Sequence, residues 1–277
     1  MTNPPIGLQT RVGFIGAGNM ATSLIGGLIA KGFDARHLFA SDPNSDALQA
    51  LARRTGITAC PDNNAVITQA DVLVLAVKPQ VMKTVLADMA TTVQTRQPLI
   101  ISIAAGISIE NICAWLGAEM AVVRCMPNTP ALVQLGASGL YANSKVNAQQ
   151  REQAQTILAA VGIALWLDNE EQIDAVTAVS GSGPAYFFLL MEAMIVAGEK
   201  LGLATDVSRA LTLQTALGAA QMAITSDVDV AELRKRVTSP GGTTERAIAH
   251  FETSGLREIV NGALQAAALR SQEMNRS

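Results

Sequence analysis

Through the first half of the chain, short apolar runs alternate with stretches whose apolar residues recur every three or four positions. Arg11 to Ile15 reads as a strand, Asn19 to Lys31 as a helix, Leu38 to Ser41 as a second strand, and about Asn44 to Thr55 as a helix. DVLVLAV, LIISIA and AVVRC then read as buried strands, with PQVMKTVLADMA and SIENICAWL as the helices between them. Strands alternating with helices at this spacing predict crossover connections and a parallel, doubly wound α/β sheet. One more helix, about Asn147 to Val161, and a strand, ALWL, continue the pattern. Beyond Asp168 the strand signals stop. Helices alone are expected over about Glu170 to Val179, Pro184 to Leu201, Asp206 to Ile224, Val230 to Arg236, Thr243 to Thr253 and Leu256 to Ser271. The shift near residue 169 divides the chain into an α/β domain, residues 1–169, and a helical domain, residues 170–277.

The helix expected at Pro184 is apolar nearly all round, and its successor RALTLQTALGAAQMAI is rich in Ala, Gly and Thr. A helical domain of this size has too little interior to hide both, so a second copy of the chain is expected to cover them. The alternative is that both pack onto the α/β domain. Glu192, Glu199 and Lys200 interrupt the apolar run, which argues against a membrane span.

Composition narrows the partners. The chain has 277 residues, 49% hydrophobic and 16% charged, with a net charge of −3 and no long basic run. That leaves no electrostatic footprint for nucleic acid or an anionic membrane, and points to a small-molecule ligand. Cys60, Cys113 and Cys125 lack paired metal-ligand spacing and form no disulfide framework, as expected in a reducing cytoplasm. The opening MTNPPIGLQT has neither the basic nor the apolar region of a signal peptide. His37 and His250 stand in unrelated contexts, so neither a metal site nor a Ser-His-Asp triad is expected.

Two glycine-rich segments carry candidate chemistry. In VGFIGAGNMATSL, Gly16, Gly18 and Ala21 fall in a G-x-G-x-x-A pattern between an apolar strand and a helix. Gly16 permits the tight turn, Gly18 lets backbone approach a pyrophosphate, and Ala21 permits close packing of helix on strand. The second strand ends at Ser41 and Asp42, the latter 24 residues after Gly18, where a dinucleotide's adenosine ribose would be read. A carboxylate there suits a ribose diol and repels a 2′-phosphate, while Ser41 offers a hydroxyl; Asp42 can instead cap the next helix. The strand ends AVKPQ and SIAAG face the same crevice, and bring Ala76 to Pro79 and Ile103 to Ala105 alongside a nicotinamide ribose. Lys78 is the only titratable side chain among them.

The second segment, SPGGTTERAI, joins Gly241 and Gly242 to a helix start at Thr243 and Thr244. Backbone N–H groups in such a place bind an anion without a lysine or arginine, and the same pattern also serves as ordinary capping. SGSGPAY, Ser180 to Pro184, reads as a tight turn feeding the long helix.

The segments GFIGAGNMA, AVKPQ, SIAAGI, MPNTPALV, AVSGSGPAYFF and SPGGTTERAI, in this order and spacing, resemble the pyrroline-5-carboxylate reductase family over nearly the whole chain. The resemblance implies an N-terminal Rossmann-type domain followed by an all-helical domain that dimerises, with rings of dimers, decamers among them, found in the family. It implies reduction of (S)-1-pyrroline-5-carboxylate to L-proline by NADPH, or by NADH. The cofactor would then lie against Ile15, Gly16, Ala17, Gly18, Asn19, Met20, Ser41, Asp42, Asn63, Ala76, Val77, Lys78, Pro79, Ile103, Ala104 and Ala105. The substrate carboxylate would take Gly241, Gly242, Thr243 and Thr244, and Glu170, Ser180, Gly181, Ser182, Gly183 and Arg236 would complete its surroundings. Thr244 matches the threonine whose hydroxyl lies by the ring nitrogen. Pro127 and Asn128 are expected to shape the domain junction and the cofactor crevice.

Other readings compete. Another imine reductase or a β-hydroxyacid dehydrogenase also pairs a Rossmann domain with a helical one; the hydroxyacid enzymes share GFIGAGNM but use a catalytic lysine on the long helix, and here SGSGPAYFFLLMEAM carries none before Lys200. A non-catalytic dinucleotide sensor would need the first glycine-rich segment and not the second.

Overall fold

The computed structural model describes Thr10 to Asn275. All but the last residue of the stretch read for a leader, residues 1–9, lies outside the described residues, as do residues 276–277 at the end of the helical region. Packing divides the chain into two units, one running to Ser182 and joined by the segment from Ala267, the other spanning Gly183–Ala266.

The first unit is an eight-stranded sheet. Its strands are β1 (Val12–Ile15), β2 (Leu38–Ser41), β3 (Thr58–Ala59), β4 (Val72–Leu75), β5 (Leu99–Ser102), β6 (Val122–Met126), β7 (Gly136–Ala142) and β8 (Gly162–Trp166), in the order β3-β2-β1-β4-β5-β6-β7-β8. The pairs from β3 to β6 are parallel, as the alternating pattern predicts. The helices of this unit are α1 (Asn19–Ala30), α2 (Ser45–Thr55), α3 (Asn63–Ile67), α4 (Pro79–Arg96), α5 (Ile109–Leu116), α6 (Ala148–Ala159) and α7 (Gln172–Val176).

The continuous apolar runs follow from burial on both faces of a parallel sheet. Side chains alternate along a strand, so Val72 and Val74 of β4 enter one core with Leu24, Leu28, Leu48 and Ile157, while Leu73 and Leu75 enter another with Met82, Leu86 and Ile112. The sheet is the partition between two apolar layers.

One expectation of the sheet is corrected: β7 runs antiparallel to β6. The connection, residues 127–135, holds only a 3-10 segment, Thr129–Val133. A parallel return needs a crossover of about a dozen residues or more, so this short link turns the chain back. β7 itself, GASGLYA, gives a weak strand signal because its glycines answer to packing: a Cβ on Gly139 would lie 2.7 Å from Val176 Cγ2 of α7. β3 and α3 are also new, too short at two and five residues for periodicity to reveal.

The second unit holds α8 (Gly183–Lys200), α9 (Thr205–Thr225), α10 (Val230–Arg236), α11 (Thr243–Thr253) and the start of α12 (Leu256–Asn275), which ends in the first unit. Of α8 only Gly183 is buried, and Phe187 and Phe188 are 64% and 63% exposed. The run Gln172–Lys200 is long and apolar enough to cross a membrane by length and composition alone. Within α9 the buried residues are the polar Ser208 and Thr212, and Ser208 Oγ donates to Ile195 O of α8 at 2.8 Å.

SGSG is not the tight turn expected. Thr177–Gly181 forms a π-helical turn, closed by Ser182 N–H donating to Thr177 O at 2.8 Å, five residues back.

Candidate active site

The sixteen residues expected at the cofactor fall at the carboxyl ends of five neighbouring strands, β3, β2, β1, β4 and β5, with Asn63 alone after β3. Ile15 ends β1, Gly16 to Gly18 form the turn, and Asn19 and Met20 open α1. Gly16 has φ of 97°, in the left-handed region that a side chain rarely adopts. Its N–H donates to Ser41 O at 2.9 Å, and Ala76 N–H donates to Ile15 O at 2.8 Å, so the turn is held between β2 and the end of β4. Gly18 is the N-cap of α1 without a side-chain cap, and a Cβ placed on it would stand in open space. Uncapped N–H groups at the start of α1, with room in front of them, fit a pyrophosphate.

Asp42 has a role the sequence left open. Its Oδ2 accepts from Ala17 N–H at 2.7 Å and its Oδ1 from Asn44 N–H at 2.8 Å, which ties the glycine turn to the loop after β2. The cap of α2 is Asn44, whose side chain accepts from Ala47 N–H; Asp42 is not the cap. Beside it Ser41 Oγ donates to Asn63 Oδ1 at 2.7 Å, joining β2 to the first residue of α3. Ala76, Val77 and Lys78 follow β4, Pro79 opens α4, and Ile103, Ala104 and Ala105 follow β5. Pro79 and Ala105 border a cavity of about 580 Å³ that Lys83, Asn111, Trp115 and Arg270 also line.

The residues expected at the substrate fall in both units. Glu170, Ser180, Gly181 and Ser182 belong to the first; Gly183, Arg236 and Gly241 to Thr244 belong to the second. Glu170 anchors a polar network. Its Oε1 accepts from Arg124 Nη1 at 2.8 Å and from Ile109 N–H at 2.9 Å, with the Arg124 side chain 3% exposed. Arg124 Nη2 reaches Asn275 Oδ1 at 2.8 Å, and Asp174 Oδ1 accepts from Asn275 Nδ2 at 3.0 Å and Ser271 Oγ at 2.6 Å. The network fastens the last turn of α12 to β6 and α7.

In the second unit, Gly242 is the N-cap of α11 and Thr243 and Thr244 its first two residues. Gly242 N–H donates to Ser239 O at 3.0 Å, and Gly241 N–H donates to Glu245 Oε2 at 2.8 Å. A carboxylate of the chain's own thus rests on the first of the four N–H groups expected to hold a substrate carboxylate. Glu at the third helical position was the available signal, since its carboxylate can reach the N–H groups just before the helix. Arg236, at the end of α10, donates through Nε to Glu232 Oε1 at 3.3 Å.

Cys60, Cys113 and Cys125 are free and buried. Burial pushes the Cys125 thiol up to about 12 and raises the other two, so none supplies a thiolate nucleophile near neutral pH. Among the described residues no His, Cys, Asp and Glu cluster could hold a metal.

A doubly wound sheet with a glycine turn on its first strand, beside a separate helical unit, defines a dinucleotide-binding type of fold. Residues 170–274 match the family model of pyrroline-5-carboxylate reductase dimerisation, and residues 11–106 match that of coenzyme F420-dependent NADP oxidoreductases. The pyrroline-5-carboxylate reductase of Pseudomonas aeruginosa is 59% identical over 264 residues, covering 95% of this chain and 96% of that one. Among solved structures, the Coxiella burnetii enzyme of the same name superposes with a TM-score of 0.93 at 43% identity, covering 97% and 100% of the two chains. The Plasmodium falciparum pyrroline carboxylate reductase with NADP bound gives 0.85 at 31% identity, covering 97% and 99%. The chain belongs to the pyrroline-5-carboxylate reductase family.

Proposed function

We infer that the chain reduces (S)-1-pyrroline-5-carboxylate to L-proline with NADPH or NADH, the last step of proline biosynthesis. The observation that carries this reading is the 59% identity with the Pseudomonas aeruginosa reductase across 95% of the chain. The geometry is consistent with it. Each unit has a glycine-bounded helix start with uncapped N–H groups, one for the cofactor's pyrophosphate at α1 and one for the substrate's carboxylate at α11. The assignment of residues 170–277 to substrate binding and dimerisation belongs to this reading, and the dimerisation model over 170–274 supports it.

Bound reduced nicotinamide supplies a hydride to the imine carbon while a proton goes to the ring nitrogen. The residues from Ile15 to Met20, with Ser41, Asp42, Asn63 and the ends of β4 and β5, hold and orient the cofactor. Thr243 and Thr244 N–H groups take the carboxylate. The Thr244 hydroxyl orients the ring nitrogen, and the substrate arrives as the iminium ion or is protonated through a water. Glu170 and Ser180 to Ser182 in the first unit, and Gly183 and Arg236 in the second, are the remaining candidates for contact with the substrate.

The test is the initial rate of NADPH or NADH consumption with 1-pyrroline-5-carboxylate. Turnover with either cofactor is expected, and none with both would overturn the assignment.

Asp42 sets the cofactor ratio. Its charge stands where the adenosine ribose is expected, already fixed by Ala17 and Asn44 N–H groups. It opposes a 2′-phosphate and accepts from a diol. Asp42→Ser is expected to raise the NADPH-to-NADH ratio of kcat/KM about tenfold, the effect of about 1.4 kcal/mol. An unchanged ratio would mean that Asp42 only holds the loop.

The exposed apolar face of α8 is covered by a second copy, a homodimer unit that can assemble further into a decamer, in the cytoplasm. The family model's description as a dimerisation region supports the second copy. A solution mass equal to one chain would refute it.

A further inference from the structure

In an α-helix the Ser180 carbonyl would accept from the N–H of the residue four positions on, but that residue is Pro184, which has none. The chain takes a π turn here instead, and the carbonyl finds its donor elsewhere. Asn128 Nδ2 donates to Ser180 O at 3.0 Å, while Asn128 Oδ1 accepts from Ala137 N–H at 2.9 Å. The two partners fix the orientation of the amide, because the carbonyl needs a donor and the N–H needs an acceptor. Asn128 is 9% exposed, and it lies two residues past β6, while Ala137 is in β7. The amide therefore ties the π turn to two strands of the sheet. Met126, the last residue of β6, supports the same turn: a Cβ on Gly181 would lie 2.6 Å from Met126 Cε.

We propose that Asn128 is a positioning residue for the imine substrate, acting through Ser180 to hold the π turn in the shape in which Ser180 to Gly183 meets that substrate. This rests on the reading of that segment as part of the substrate pocket. Both ends of the amide are engaged by the chain itself, Ser180 O and Ala137 N–H, so its effect on the substrate runs through Ser180. Asn128 thus supplies to Ser180 O the hydrogen bond that Pro184 cannot.

Asn128→Asp is nearly isosteric and keeps the acceptor for Ala137 N–H, but sets an oxygen against the Ser180 carbonyl. In this variant the KM for 1-pyrroline-5-carboxylate is expected to rise about tenfold, with the NADPH dissociation constant within about twofold of wild type. An unchanged KM, or a parallel loss of NADPH binding, would overturn the proposal. Adding Pro184→Ala to Asn128→Asp gives the carbonyl an α-helical partner. The double variant is expected to regain Tm without regaining KM, and recovery of both would reduce Asn128 to a structural contact. If Asn128→Asp does not fold, Asn128→Ser, which removes the donor to Ser180 O without setting an oxygen against it, carries the test: a raised KM is expected, and an unchanged KM overturns. Wild-type turnover and Ser182→Val separate this proposal from the reading beneath it. An inactive wild type defeats the reaction, and an unchanged KM in Ser182→Val defeats the segment's role. A raised KM in Ser182→Val beside an unchanged one in Asn128→Asp defeats only the role of Asn128.

Discussion

Gly16→Val is expected to weaken NADPH binding at least about 100-fold and to lower Tm by roughly 5 °C, whereas Gly18→Val weakens binding comparably and leaves Tm near wild type. At Gly16 the backbone sits at φ of 97°, and a Cβ would come within 2.8 Å of Ala76 O and 3.0 Å of its carbonyl carbon. Both are main-chain atoms at the end of β4, and that end is itself bonded to Ile15 O. Nothing flexible can yield, so valine either distorts the turn or pushes β1 from β4. Strain of this kind costs of order 1–3 kcal/mol. At Gly18 the backbone is extended, with φ of −67° and ψ of −176°, and a Cβ meets nothing. Valine is tolerated by the fold there and fills the room proposed for the pyrophosphate. Fluorescence titration with NADPH and a thermal melt read the two effects separately. Unimpaired NADPH binding in Gly18→Val would show that the cofactor does not use this loop.

The contrast between the two glycines shows which parts of the site were legible in the sequence. Strand, turn and helix around Gly16 are contiguous, so their pattern announces both the fold and the anion site, and the structure places those elements as the pattern predicts. The helix start at Thr243 is local in the same way. What the sequence hid depends on residues far apart along the chain. Nothing around Asp42 says that its carboxylate will clasp Ala17 N–H, and nothing near Glu170 names Arg124 and Asn275 as members of one network. The π turn is hidden for the same reason. SGSGP looks like a turn because glycine and proline punctuate turns, yet the donor that Pro184 lacks is supplied by Asn128, more than fifty residues earlier. β7 was obscured by the opposite effect, glycines placed where α7 comes close to the sheet, which weaken the strand signal while making the packing possible.

Thr244→Ala is expected to lower kcat about 100-fold with 1-pyrroline-5-carboxylate, leaving NADPH binding unchanged, and Thr244→Ser is expected to stay within about threefold of wild type. Thr244 is the second residue of α11, so its substitution by alanine preserves the helix start and the backbone N–H groups proposed to take the carboxylate. The change removes one hydroxyl. Hydride addition moves electron density onto the ring nitrogen, and a hydrogen-bonding group aimed at that nitrogen is worth more in the transition state than in the bound imine. A positioned donor of this kind typically contributes 10²–10³ in rate, about 2.7–4 kcal/mol. An aliphatic hydroxyl is a poor acid near neutral pH, so the lower end of that range is expected, with orientation contributing more than proton transfer. The split between the kinetic constants is the decisive reading. A loss confined to KM would make Thr244 a uniform binding contact, since an interaction equal in ground and transition states leaves kcat unchanged. A kcat equal to wild type in Thr244→Ala would remove the hydroxyl from the reaction altogether. The proton would then reach the nitrogen without help from α11, and the second glycine-rich loop would serve the carboxylate alone.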